Sequence, residues 1–467
     1  MPNSRIMKRI FLAIALLGAI TVNELSAQSG LTLYNFNAVP QSLHMNPGYD
    51  QQTRLWIGLP AISGVYVGYH NSAFTPLDLL ETGTDVNENM EEIINNLDDN
   101  SQFNFRNEID LLAVGFRTEV GYFTVGSRLT NDYVTDYPRD LMRFAWYGNT
   151  TEDLREANLS DWDFELISRY DYYIGWQSKF LDDKLSVGVR AKYIFGLANT
   201  YAERTNIGIV TQDDSRLELE TDMLIRTSGA VDFVNEGGFD NIDYTSTIFP
   251  ENQGFGIDLG GTYDINDKFQ VSASVIDLGF INWKANVQDL RSEGFFEFDG
   301  VDADLAADQP VDENIFEDIQ DSIFEAFEFD TIPGESYRRA LSSRIFIGGN
   351  YRISEKHSVG ALIQSRFFDG QIYNNYSVNY VGRVSRAFQY TVSYSIINNT
   401  FNNIGAGLSA RLGPVQLYLV SDNVLHMIFP ASLQTTNLRL GINLAFYDKK
   451  IKEKSNPPVP ESNETQQ

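Results

Sequence analysis

The sequence predicts an all-β protein: a transmembrane antiparallel β-barrel of about fourteen strands with acidic, partly helical extracellular loops. Three observations lead there. Apolar residues alternate with small or polar ones in stretches of about ten residues, the length of a tilted membrane strand. The links between these stretches alternate between tight turns and long loops. An export signal opens the chain, and no later run reaches the ~18 apolar residues of a membrane-crossing helix.

Composition agrees with this class. The 467 residues suffice for two or three ordinary domains or one large barrel. Mean hydropathy is only −0.25, as expected when lipid meets every second residue of a strand. A net charge of −28 and a pI near 4.4 argue against a nucleic-acid partner, which needs a basic footprint. With no cysteine there are neither disulfides nor thiolate metal sites.

At the N-terminus, Lys8 and Arg9 precede an apolar run over 10–22 and then Leu25-Ser26-Ala27. Residues 1–27 therefore read as a secretory signal peptide cleaved near Ala27. Residues 28–52 read as a periplasmic or plug segment, and 53–446 as the barrel. Within it, 183–196 sets the pattern: Leu185, Val187, Val189, Ala191 and Tyr193 share one parity, Gly188, Arg190 and Lys192 the other. A soluble sandwich would turn the apolar parity inward. Segregation of loop lengths favours a barrel that turns it outward.

The expected spans are 53–69, 103–117, 120–130, 162–178, 184–197, 254–265 and 268–280, then 344–353, 357–368, 372–384, 387–397, 401–412, 415–421 and 437–446. An even number leaves both termini at the short-turn, periplasmic side. Residues 71–102, 131–161, 198–253 and 281–340 become long external loops. A hairpin over 204–226 is assigned to a loop, although counting it as a spanning pair would give sixteen strands. Helical spacing at Met90, Ile93, Ile94 and Leu97, and at Phe316, Ile319, Ile323 and Phe327, predicts loop helices. Residues 286–335 hold sixteen Asp or Glu against one Arg. The polar tail 447–467 is expected to be disordered and periplasmic.

Function is read from inward parity. Arg190, Lys192, Asp258, Arg352, Arg366, Arg383, Arg411 and Arg439 are predicted to face the lumen. Arginines there could orient carboxylates. The plainer reading is an internal ion-pair network, because cations are tolerated in a polar lumen and costly against lipid. Asn46, Pro47 and Gly48 are gate or plug candidates that could equally start the first strand. The acidic run 298–308 has oxygens suited to calcium, but its spacing matches no binding loop, and a solvated loop is the simpler assignment. No hydrolase, nucleotide or zinc motif is present, and His44, His70, His357 and His426 are scattered. No catalytic residue, metal or cofactor is assigned.

Three stretches carry a resemblance. They are "HMNPGYDQQTRLWIGLPAISGVYVGYHNSAFTPLDLL" (44–80), "SRYDYYIGWQSKF" (168–180) and "SDNVLHMIFP" (421–430). They resemble a Bacteroidota outer-membrane barrel family of unknown function, similar in turn to the FadL/PorV-like class of fourteen-stranded barrels. Asn46-Pro47-Gly48 resembles that class's "NPA"-type motif, with Gly48 where alanine is usual. The segment before the first strand is only about 25 residues long, short for a FadL-style hatch. "GINLAF" (441–446) resembles the last-strand signal read by the barrel-assembly machinery. The resemblance implies an outer-membrane location, lipid contact and that machinery as partners. It implies either a FadL-like conduit for small hydrophobic or amphipathic molecules, or a docking component for surface proteins or type IX secretion. An outer-membrane hydrolase is a distant third.

Overall fold

A computed structural model describes residues 30–75, 91, 93–147, 156–211, 217–229, 251–298, 329–368, 371–385, 387–397, 400–425 and 434–447. The expected signal peptide, most of the acidic run 298–308, the expected helix over 316–327, His426 and nearly all of the tail lie outside them.

The described chain opens with a short helix α1 (Leu31–Tyr34) and a 3-10 turn (Pro40–His44). The strands follow: β1 (Thr53–Gly58), β2 (Val65–Asn71), β3 (Asn100–Thr118) and β4 (Gly121–Pro138). Helix α2 (Arg139–Tyr147) precedes β5 (Glu156–Asn158), β6 (Asp163–Phe180), β7 (Leu185–Thr211), β8 (Leu217–Gly229), β9 (Asn252–Asp264) and β10 (Phe269–Trp283). Then come β11 (Gln288–Phe298), β12 (Asp330–Pro333), β13 (Tyr337–Ala340), β14 (Ser343–Ser354), β15 (His357–Phe368) and β16 (Gln371–Arg383). The last are β17 (Phe388–Ile397), β18 (Thr400–Leu412), β19 (Val415–Ser421) and β20 (Thr435–Tyr447).

Taking β1 and β2 as one interrupted strand, the wall runs β1/β2, β3, β4, β6, β7, β9, β10 and β14 to β20, every neighbour antiparallel. β20 closes the ring on the first strand, with Trp56 opposite Ala445 and Val65 opposite Leu440. Fourteen spans result, one for each expected. The hairpin over 204–226 stays outside the wall, which settles the count against sixteen.

Local chemistry sets the tight turns. Leu181, Asp182 and Asp183 take left-handed φ between β6 and β7, as does Gly413 between β18 and β19. The side-chain oxygen of Asn266 accepts the Lys268 and Phe269 amides between β9 and β10. The apolar parity faces out: Val187, Ile174, Phe255, Leu259, Ile347, Val392 and Leu408 are exposed. A continuous apolar belt on a closed sheet is a lipid-facing surface.

The described part of the long-loop side is more strand-rich than the periodicity predicts. β7 is 27 residues long and leaves the wall to pair with β8 and β5. β11, expected to lie in a loop, pairs along its whole length with β8, from Gln288–Thr227 to Phe298–Leu217. The unpaired outer edge of β8 needs hydrogen-bond partners, and the alternating stretch 288–298 supplies them. An external sheet β5–β7–β8–β11–β12 results, with Ile207, Ile209, Met223 and Leu290 packed toward Leu141 and Phe144 of α2. Residues 93–95 are helical, and Ile93, Ile94 and Leu97 pack with Ala73, Phe74 and Met142.

Candidate functional site

Residues 30–50 lie inside the barrel, toward the short-turn end. The segment is apolar enough to fold against the wall: Leu31, Leu33, Tyr34, Phe36, Val39, Leu43, Met45 and Tyr49 join Trp56, Tyr122, Ile276, Phe346 and Tyr418 in the main core. Each fully buried apolar side chain contributes about 1.5–3 kcal/mol, so this is a seated plug and not a loose tail. Polar ties fix its register. The Thr32 amide donates to Asp422 at 2.7 Å, Asn35 to Asn379 at 2.8 Å, and Gln416 to the Ala38 carbonyl at 2.7 Å.

Asn46, Pro47 and Gly48 sit in a groove of wall glycines. The Asn46 side chain accepts the Gly48 amide at 2.8 Å and donates to the Gly261 carbonyl at 3.3 Å. Ser186 donates to the Gly48 carbonyl at 2.6 Å. A Cβ on Gly188 would collide with the Pro47 carbonyl, and one on Gly260 would come within 2.8 Å of the Pro47 ring. Only hydrogen at these positions lets the plug backbone approach.

The first wall strand breaks where the plug meets it. Residues 59–64 stand opposite only 441–442 on β20 and 110–112 on β3. Pro60, which cannot donate to a ladder, and Ala61, at φ 62°, push the segment outward. Pro60, Ala61 and Ile62 are exposed on the outer face, while Ser63 and Gly64 are buried. The Gln41 side chain holds the break from inside, donating to the Ser63 carbonyl at 2.8 Å and to Asn443 at 3.0 Å.

Beside the plug lies a buried ion network. Glu108 pairs with Arg106, Arg128 and Arg439 at 2.7–2.9 Å. Asp110 pairs with Arg128 at 2.7 Å, and Asp132 with Arg106 at 3.1 Å and Arg366 at 3.6 Å. Asp258 takes Lys192 at 2.7 Å and Arg190 at 3.4 Å. Asp277 takes Lys192 at 2.6 Å, Arg344 at 2.8 Å and Arg169 at 3.4 Å, and Arg169 also reaches Asp171 at 3.0 Å. The cavity beside this network has room for a particle about the size of water, about 20 Å³.

His44 joins plug to network. Arg190 donates to its Nδ1 at 2.9 Å, and its Nε2 lies 3.7 Å from Asp110. Burial, reinforced by the Arg128 charge, holds the imidazole down to about 3. Unfolded imidazole takes its proton near 6.5. Between those values the unfolded state binds more protons, so plug stability falls as pH drops from 6.5 toward 3. Lowering the pH from 7 to 4 is expected to cost about 3 kcal/mol through this group. Hydrogen exchange over residues 31–46 should lose protection at pH 4, and His44→Gln should remove that part of the pH dependence. The other described histidines are remote from this network: His70 bonds Thr435 and His357 bonds Tyr380.

Of the residues singled out by parity, Arg190, Lys192, Asp258, Arg366 and Arg439 come together in the network. Arg352, Arg383 and Arg411 lie near the short-turn end. Arg352 is exposed and bonds the Asp267 carbonyl, and Arg411 stacks over Tyr447 at 4.1 Å. Sequence reasoning missed Arg106, Glu108 and Asp110 on β3, Arg128 and Asp132 on β4, Arg169 and Asp171 on β6, Asp277 on β10 and Arg344 on β14. The first seven carry a readable signal, charges at i, i+2 and i+4 on one parity of long strands.

A profile described as a family of unknown function (DUF5723) matches residues 47–422. The chain belongs to this family. Members are thus defined over the wall from just before the first strand to the end of β19. No curated protein matches the chain. Among solved structures, it is similar to the toluene transporter TbuX of Ralstonia pickettii, at 11% identity and TM-score 0.41, over 87% of this chain and 94% of that one. It is also similar to the toluene transporter TodX of P. putida (9% identity, TM-score 0.39, 88% and 93% covered). A FadL homologue of Pseudomonas aeruginosa matches at 8% identity and TM-score 0.37, over 85% and 91%. The fold assignment rests on the strand pairing above and not on these likenesses.

Proposed function

We propose that this protein is an outer-membrane conduit for small amphipathic or hydrophobic molecules, held closed at rest by the plug over residues 30–50. The observation that carries the reading is the break at 59–64, where the wall lacks a regular ladder and the plug's Gln41 bonds directly to it. A weakened wall segment latched by a plug is what a gate requires. The charged lumen favours amphipathic cargo with an anionic head over a bare hydrocarbon.

A chain without cysteine offers a clean test. Asn35→Cys and Asn379→Cys place two thiols where the native side chains hydrogen-bond at 2.8 Å, and a short bifunctional thiol-reactive crosslinker, a bis-methanethiosulfonate, then ties plug to wall. Uptake of radiolabelled decanoate by cells carrying the bridged barrel is expected to fall to that of cells lacking it. Uptake unaffected by the bridge would sink the gate. The external sheet favours a second reading, docking of another protein, because β12 is exposed along its whole length. A constant protein partner lost on deleting 330–333, with no plug-dependent uptake, would put docking first.

A further inference from the structure

We infer that the lumen holds one small inorganic anion of the halide class, in a chamber between His44 and the wall strands, whatever the barrel carries. The chamber has room for one particle about the size of water, about 20 Å³. Six cationic side chains line it, Arg106, Arg128, Arg169, Arg190, Lys192 and Arg344, against two carboxylates, Asp171 and Asp277. All eight are at most 8% exposed.

Charge and unused donors point to the same occupant. Asp277 is already divided among Arg169, Lys192 and Arg344, and Glu108 among Arg106, Arg128 and Arg439. Among the ion pairs of the described residues, eight cations (these six with Arg366 and Arg439) share six carboxylates. His44, held neutral, adds no negative charge. Meanwhile Nη2 of Arg128, Nε of Arg190 and Nε of Arg344 are buried without a hydrogen-bond partner. A buried guanidinium N–H left unpaired is costly, and so is a buried charge left uncompensated. A water molecule would satisfy the donors and leave the charge. A halide satisfies both and fits the space.

Crystals of the full-length protein grown in sodium bromide, measured at the bromine absorption edge, test this directly. The expected result is an anomalous peak in the chamber within reach of Arg128, Arg190 and Arg344. In solution, replacing gluconate by chloride at fixed ionic strength should raise Tm along a saturating curve. Arg344→Gln should flatten that curve. If that variant does not fold, the wild-type peak and titration still decide. No bromide peak, or melting that follows ionic strength alone, overturns the proposal. So does a peak without a saturating shift, which is filling at crystal concentration only.

Discussion

Asp277→Asn is expected to be the most damaging single substitution in the wall, lowering stability by about 3–5 kcal/mol, the range for breaking a buried ion pair. Asp277 is 2% exposed and serves Arg169, Lys192 and Arg344 together. Asparagine keeps the shape and removes the charge, leaving three buried cations with less negative charge than they need. The backbone is not at fault, because Asp277 sits at φ 62° and asparagine tolerates that region well. The folded, compact band on unheated gels should vanish at a lower temperature or urea concentration than in wild type. Adding Arg344→Met should restore part of the loss, since Asp277 is the carboxylate that Arg344 pairs with. An Asp277→Asn protein as stable as wild type would mean the network does not hold the barrel wall together.

Asp277 also marks where a linear reading stops. Fourteen spans were legible because lipid on one side and a polar lumen on the other impose a period of two on every strand. Arg190, Lys192 and Asp258 follow that rule and lie inward. On β10 the same rule puts Asp277 with Val271, Ala273 and Val275, against lipid. A bulge between Val275 and Leu278 turns both Ile276 and Asp277 inward and leaves Leu278 outside. One extra residue in a bulge inverts parity beyond it, and composition does not announce it. Arg352, Arg383 and Arg411 show the other limit: parity gives a side of the wall but not a height along it, and near the barrel end an inward arginine reaches turn carbonyls or rim aromatics instead of the central network. The plug was legible as a segment, not as a fit. Its polar ties join residues such as Gln41 and Asn443 that are 402 positions apart.

Gly260→Val is expected to unseat the plug and open the barrel to ions. Gly260 lies on β9, where valine is a better strand former than glycine, so the wall should still form. The lumen side is different. A Cβ there meets the Asn46 side-chain oxygen and stands 2.8 Å from the Pro47 ring, and branching adds more bulk in the same groove. Neither neighbour can give way, because Asn46 is committed to Gly48 and Gly261, and Pro47 is pressed on Gly188 from the other side. Overpacking of this kind costs about 1–3 kcal/mol, which either strains the plug in place or drives it out. In planar bilayers the two outcomes separate. Expulsion should give steady ion conductance that the plugged wild-type barrel is expected to lack, and Gly188→Val should act in the same direction from the neighbouring strand. A barrel that stays closed and merely melts lower would mean that the main-core contacts of Leu31, Tyr34 and Phe36, not the glycine groove, keep the lumen shut.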